Sequence, residues 1–165
     1  MTATTVVSPV LLVLAGGTVS QAAISRTAEL AADELAAGEP VTVIGTSAGQ
    51  SGPVAGPEYE QVRRAVARAM SALEDTGVAA LGHVAVTGSP SRTVARVARA
   101  RGARVVVLDR GPATSGSFGR SGRSGGLAAE LRRRMYGSGI TVVTPAERGG
   151  PRARPLPLSP WHALT

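Results

Sequence analysis

The chain contains no cysteine, no lysine and no asparagine, and only four of its 165 residues are Phe, Trp or Tyr. Each absence removes a class of chemistry. Without cysteine there is no disulfide framework, no thiolate metal centre and no thiol nucleophile. Two histidines, His83 and His162, are too few for an imidazole metal site, so no metal is expected. With so few rings, a core has to be assembled from Val, Leu, Ile and Ala. No run of residues approaches the roughly 20 apolar positions of a membrane span. Residues 6–15 have the apolar character of a signal peptide's centre, but residues 1–7 carry no basic side chain. The segment is therefore expected to be a first strand, and the protein cytoplasmic.

The charge that is present is unevenly placed. Residues 1–90 carry 4 Arg against 8 Asp and Glu, a net of −4, whereas residues 91–165 carry 14 Arg against 3 acids, a net of +11. Arginine without lysine, with abundant Ala, Gly, Val and Pro, is the usage of a GC-rich bacterial genome. That usage does not explain the asymmetry of the halves, which points to a polyanion. The densest cations are Arg132, Arg133 and Arg134, but three consecutive residues span most of a helix circumference and cannot alone form one stripe. No aromatics interleave with them to stack bases, so nucleic acid is not the expected partner.

Taken in order, the chain alternates strand and helix. Residues 10–15 (VLLVLA) form a continuous apolar run, as expected of a strand covered on both faces. Ser20 offers an N-cap, and Ile24, Ala28, Ala31 and Leu35 repeat at helical spacing up to Gly38. A second apolar run, 41–45, leads into a Gly/Pro/Ser-rich loop at 46–57. Residues 58–75 carry Val62, Val66, Met70 and Leu73 on one stripe, with acids in the first turn and Gly77 beyond the end. A third strand is expected at 83–87. Ser89 and Pro90 then open a helix to Arg101 with Val94, Val97 and Ala98 inward. Residues 104–109 (RVVVLD) form a fourth strand, and residues 109–126 a long Gly/Ser/Arg loop. Leu127, Leu131 and Met135 mark a fourth helix closed by Gly137, and 140–143 is a fifth strand. The order βαβαβαβαβ implies an α/β fold: a five-stranded parallel sheet with right-handed crossovers and helices on both faces. From Glu147 the composition turns Pro- and Arg-rich. Residues 1–146 are expected to form one domain, and 147–165 a disordered tail whose Pro-rich run suits an aromatic groove on a protein partner.

Three segments carry a family resemblance: VLLVLAGG with its Ala-rich helix, TGSPSRTVARVARARGARVVVLDRG, and GGLAAELRRRMYGSGITVV. In this order and spacing, over about residues 8–146, they resemble the universal stress protein family. The resemblance implies a Rossmann-like sheet of the adenine nucleotide alpha hydrolase type, ordered 3-2-1-4-5, and a homodimer through strand five. Many members bind ATP with an Asp ending strand one and a Gly-x-x-Gly, nine residues, Gly-Ser/Thr motif after strand four. Here Ala15 stands at the Asp position, Leu108 at the first glycine and Leu127 at the Ser/Thr. Gly111 and Gly126 match, separated by 14 residues. The cofactor position implied by the resemblance thus comprises Ala15, Gly16, Gly111 and Gly126. Arg120 and Arg123 in the intervening loop are suited to phosphate beside a helix N-terminus. A linker of the same composition is the competing reading. The stretch AGGTVS, residues 15–20, is also similar to the SGGxDS phosphate loop of the ATP pyrophosphatases, with Val19 replacing the Asp.

No pair of carboxylates and no Ser-His-Asp set can be assembled at strand ends, so no catalytic residue is assigned and at most slow nucleotide hydrolysis is expected. Asp109 stands alone there, beside Arg110. The expected function is a cytoplasmic stress-response module that lacks standard ATP binding and acts through dimerisation and protein contacts. A member that binds ATP or another adenine nucleotide through residues 111–126 is the first alternative, and a basic polyanion-binding protein the second.

Overall fold

The computed structural model describes residues 6–33, 38–47, 56–109 and 122–145, with 122–125 described in their backbone only. The tail and its boundary at residue 146 lie outside these residues. Nine elements alternate along the chain: β1 (Val10–Leu14), α1 (Gln21–Ala31), β2 (Val41–Ser47), α2 (Pro57–Asp75), β3 (Ala80–Val86), α3 (Pro90–Ala100), β4 (Val105–Asp109), α4 (Gly122–Met135) and β5 (Thr141–Val143). Every strand pairing is parallel, and the sheet runs β3-β2-β1-β4-β5. The expected five-stranded parallel α/β architecture is what the chain adopts.

β1 is the centre of the sheet, and its VLLVL sequence is buried at all five positions. Side chains alternate between faces along a strand, so each apolar residue has a helix layer to meet. Leu12 and Leu14 join Val41, Val43 and Val107 in a core with Ala23 and Ile24 of α1 and Val62, Val66 and Leu73 of α2. Leu11 and Val13 join Ile44, Val106 and Leu108 in a second core with Val94 and Ala98 of α3 and Leu131 and Met135 of α4. With scarcely a ring in either core, Val, Leu, Ile and Ala fill the space, as the composition requires.

Local chemistry sets the helix starts. Ser20 caps α1, its Oγ accepting from the Ala23 amide at 3.2 Å. α2 opens on Pro57 with Glu58 and Glu60 in its first turn, where acids complement the helix dipole. α3 also opens on a proline, but Ser89 does not cap it with its side chain. Instead the Thr87 hydroxyl accepts from the Ser89 amide at 3.0 Å and pairs with the Thr93 hydroxyl at 2.9 Å.

α3 and α4 are locked together by a polar seam. The Ser91 hydroxyl donates to Glu130 Oε1 at 2.6 Å, Arg134 Nε donates to Ser91 Oγ at 3.1 Å, and Arg134 Nη2 donates to the same Glu130 oxygen at 3.3 Å. The Ser91 hydroxyl first, then Arg134 and Arg133, holds the Glu130 carboxyl below the usual carboxylate range against an opposing push from burial.

Two expectations need correction. β3 spans Ala80–Val86 rather than 83–87, so His83 sits mid-strand and exposed on the outer strand. A strand at the sheet's edge lacks a covering on each face, and its ALGHVAV sequence shows no continuous apolar run. α4 begins at Gly122, so the loop thought to reach Gly126 ends a full turn earlier.

Candidate functional site

In doubly wound sheets ligands bind beyond the carboxyl ends of the strands, where the winding reverses. That point lies here between β1 and β4. Leu14 stands in register with Asp109, and the Ala15 amide donates to the Asp109 carbonyl at 3.2 Å. The turn from Ala15 to Ser20 then carries the chain into α1. Gly17 allows it to pass close to α2, since a Cβ there would meet Gln61 Cβ at 3.1 Å.

Asp109 is 3% exposed. Its Oδ2 accepts from the Ser20 amide at 2.7 Å and its Oδ1 from the Ser20 hydroxyl at 3.0 Å. The same Ser20 oxygen accepts from Ala23. A carboxylate removed from water needs donors, and the amino-terminal end of α1 supplies them together with its partial positive charge. An amide end of this kind is where a foreign anion would bind. At α1 an internal anion already occupies it.

The expected site residues distribute unevenly around this crevice. Ala15 is half-buried immediately after β1, and Gly16 is exposed, with open space around the position of a Cβ. Gly111 and Arg120 lie outside the described residues. Arg123 falls in the first turn of α4, where only the backbone is described. Gly126 is the fifth residue of α4 and exposed. It therefore does not open the helix as the motif expects, because the first four amides of a helix are the free ones. Sequence reasoning missed the Asp109–Ser20 pairing and set Asp109 beside Arg110, which lies outside the described residues. Among the described residues no group of three or more His, Asp or Glu side chains is placed to hold a metal, and no helix is long and apolar enough to cross a membrane.

No protein-family model and no curated protein sequence matches the chain. Solved structures do. A universal stress protein from Archaeoglobus fulgidus in complex with dAMP superposes with a TM-score of 0.61 at 18% identity, covering 84% of this chain and 98% of its own. A protein of the universal stress protein family from Burkholderia pseudomallei does so with a TM-score of 0.57 at 22% identity, covering 84% and 96%. A universal stress protein in complex with cAMP gives a TM-score of 0.57 at 18% identity, covering 82% and 94%. This chain has the fold of the universal stress proteins. The likeness read from its turns and helix entries therefore holds in three dimensions, at the level of fold.

Within the universal stress protein fold, the two positions where polar nucleotide contacts were implied are both apolar here. Ala15 and Leu127 pack, partly buried, against one and the same core cluster, the one containing Leu11, Val13 and Leu108. The acid at this mouth is carried by β4 as Asp109 instead of following β1, and it holds Ser20.

Proposed function

We propose that this chain is a cytoplasmic regulatory module of the universal stress protein type that does not hold ATP in the manner its resemblance implies, and that it acts by pairing with a second copy and through protein contacts. The observation that carries this reading is that Ala15 and Leu127 both pack against one apolar cluster, while Asp109 is engaged internally by Ser20. An adenine nucleotide entering there would meet methyl groups where hydrogen bonds were wanted and a carboxylate at the helix end best suited to phosphate. The test is a thermal-shift titration with ATP, ADP and AMP, with and without magnesium. No saturable shift is expected at millimolar nucleotide. A ligand at 100 times its Kd would add about 2.7 kcal/mol, several degrees in a domain of this size.

The nucleotide complexes of two fold neighbours, with dAMP and with cAMP, favour a second reading. In it residues 111–126 replace the standard phosphate motif, and the same titration decides between the two. A saturable shift that disappears in Arg120→Gln/Arg123→Gln establishes the second reading and removes the first.

The pairing surface proposed is the β5 edge. Among the described residues β5 pairs only with β4, and beside it lies an open depression of about 450 Å³ whose lining includes Arg132, Met135, Tyr136, Ile140 and Val142. Tyr136, at the end of α4, is 92% exposed. Tyrosines of this kind anchor interfaces. Light scattering on the full chain is expected to show a dimer, and Tyr136→Glu to weaken it about tenfold or more. A monomer at every concentration tested rules this interface out.

A further inference from the structure

The arginines of the second helix layer are ordered. Arg92, Arg96 and Arg99 occupy i, i+4 and i+7 of α3, hence one stripe, and all three are exposed. The opposite side of α3 buries Val94, Ala95 and Ala98. α4 lies alongside, joined through the Ser91–Glu130–Arg134 seam, and Arg99 Nη2 donates to the Arg134 carbonyl at 2.8 Å. α4 contributes exposed Arg133, and Arg104 is exposed just beyond α3. The consecutive arginines of α4 do not need to form a stripe alone, since α3 provides one beside them.

Little on this layer neutralises these cations. Glu130 is the only acid in the sequence of α3 and α4, and it is engaged by Ser91 and Arg134. Among the described residues no ion pair holds Arg92, Arg96, Arg132 or Arg133. The α1–α2 layer is different in kind: Arg26 pairs with Glu29, Arg63 pairs with Glu60, and α2 ends on Glu74 and Asp75. One side of the sheet is of mixed charge and the other is basic.

The make-up of the basic side selects its occupant. The exposed large apolar residues among those described are Val7, Leu81, Val86 and Tyr136, none of them within α3 or α4. A protein partner is held chiefly by buried aromatic and apolar anchors, and a membrane surface by an apolar helix face. Apart from Tyr136 just beyond α4, which belongs to the β5-edge surface, this layer has neither. Arginine forks without anchors match phosphate oxygens. A duplex presents a charge every ~1.7 Å of axis, so the stripe from Arg92 to Arg99, ~10 Å long at 1.5 Å per residue, spans about six of them. The shortage of rings bars stacking on unpaired bases and has no bearing on backbone phosphates.

We propose that the α3–α4 layer, with Arg92, Arg96, Arg99 and Arg133, docks on the phosphate backbone of double-stranded DNA without regard to sequence. The test is fluorescence anisotropy of the full chain with a short labelled duplex of arbitrary sequence, between about 50 and 200 mM salt. Log K is expected to fall with log salt at a slope of about −4, from roughly −0.9 per phosphate contact. Arg92→Gln/Arg96→Gln/Arg133→Gln should flatten the slope by about 3. Arg63→Gln/Arg64→Gln/Arg68→Gln on α2 removes as much charge and should leave the slope unchanged. If circular dichroism shows the first variant unfolded, Arg96→Gln alone should flatten the slope by about 1. Arg148, Arg152 and Arg154 remain in every variant, so the difference reports on the helix layer. Absence of binding at the lowest salt, equal losses in both triple variants, or an unchanged slope in the α3–α4 variants each overturns the proposal. Polyglutamate competing as well as unlabelled duplex also overturns it and assigns the face to an acidic protein.

Discussion

Gly45→Ala is expected to lower the unfolding free energy of the full chain by about 1–3 kcal/mol, seen as a reduced urea midpoint with an unchanged slope. Gly45 lies in β2 directly beneath α2. A Cβ added there would overlap a methyl of Val62 and stand 2.8 Å from Cγ2 of Val66. Both valines are nearly fully buried and β-branched, so neither has a free rotamer into which to retreat. α2 would have to lift from the sheet. The next strand makes lifting costly, because Gly82 admits α2 in the same way, with Met70 and Val66 filling the space over it. The two glycines are one device: they bring a nineteen-residue helix close enough for Val62, Val66 and Met70 to lie directly over β2 and β3. Because the strain is shared with Val62, Val62→Ala should cost less in the Gly45→Ala background than in the native one. Gly16→Ala, where a Cβ meets nothing within 4 Å, should leave the midpoint unmoved. If Gly45→Ala behaves like Gly16→Ala, the close seating of α2 is wrong.

Gly82 also shows why part of the fold was hard to see in the sequence. The central strands announce themselves, since VLLVL and VVVLD are almost wholly buried between two helix layers and have to be apolar except where β4 ends on Asp109. β3 is an edge strand whose Leu81, His83 and Val86 are exposed, and its glycine is there for the helix that crosses it. Neither fact leaves a period in the sequence. The first turn of α4 was hidden for another reason: GRSGG has the composition of a linker, and only its continuation into LAAELRRRM makes it helix. The site was the least legible part. Ser20 and Asp109 are 89 residues apart and meet because β1 and β4 are neighbours, a consequence of topology that no local pattern records. The basic stripe of α3 is visible at i, i+4 and i+7. Its union with Arg133 depends on the seam through Ser91, again a contact between distant segments.

Asp109→Ala is expected to destabilise the chain by about 2–3 kcal/mol, the scale of losing hydrogen bonds to a charged acceptor, and Asp109→Asn by less. Taking a carboxylate out of water opposes folding by several kcal/mol. At Asp109 the opposition is met by the Ser20 amide at 2.7 Å, the Ser20 hydroxyl at 3.0 Å and the amino end of α1. Alanine leaves both donors without this acceptor at a half-buried helix start. Asparagine keeps the shape and one acceptor but places an amide group where the second oxygen stood. The pair of variants therefore separates hydrogen bonding from charge, and charge is what bears on function. If the internal carboxylate is what keeps anions from the amino end of α1, Asp109→Asn should show a saturable thermal shift with AMP at concentrations where the native chain stays flat. A flat response from a folded Asp109→Asn places the exclusion on the apolar contacts of Ala15 and Leu127 and leaves Asp109 the narrower task of fastening α1 to β4. A native chain that already responds as strongly as the variant removes both accounts, because nucleotide would then enter a crevice that the carboxylate and the methyl groups together were taken to close.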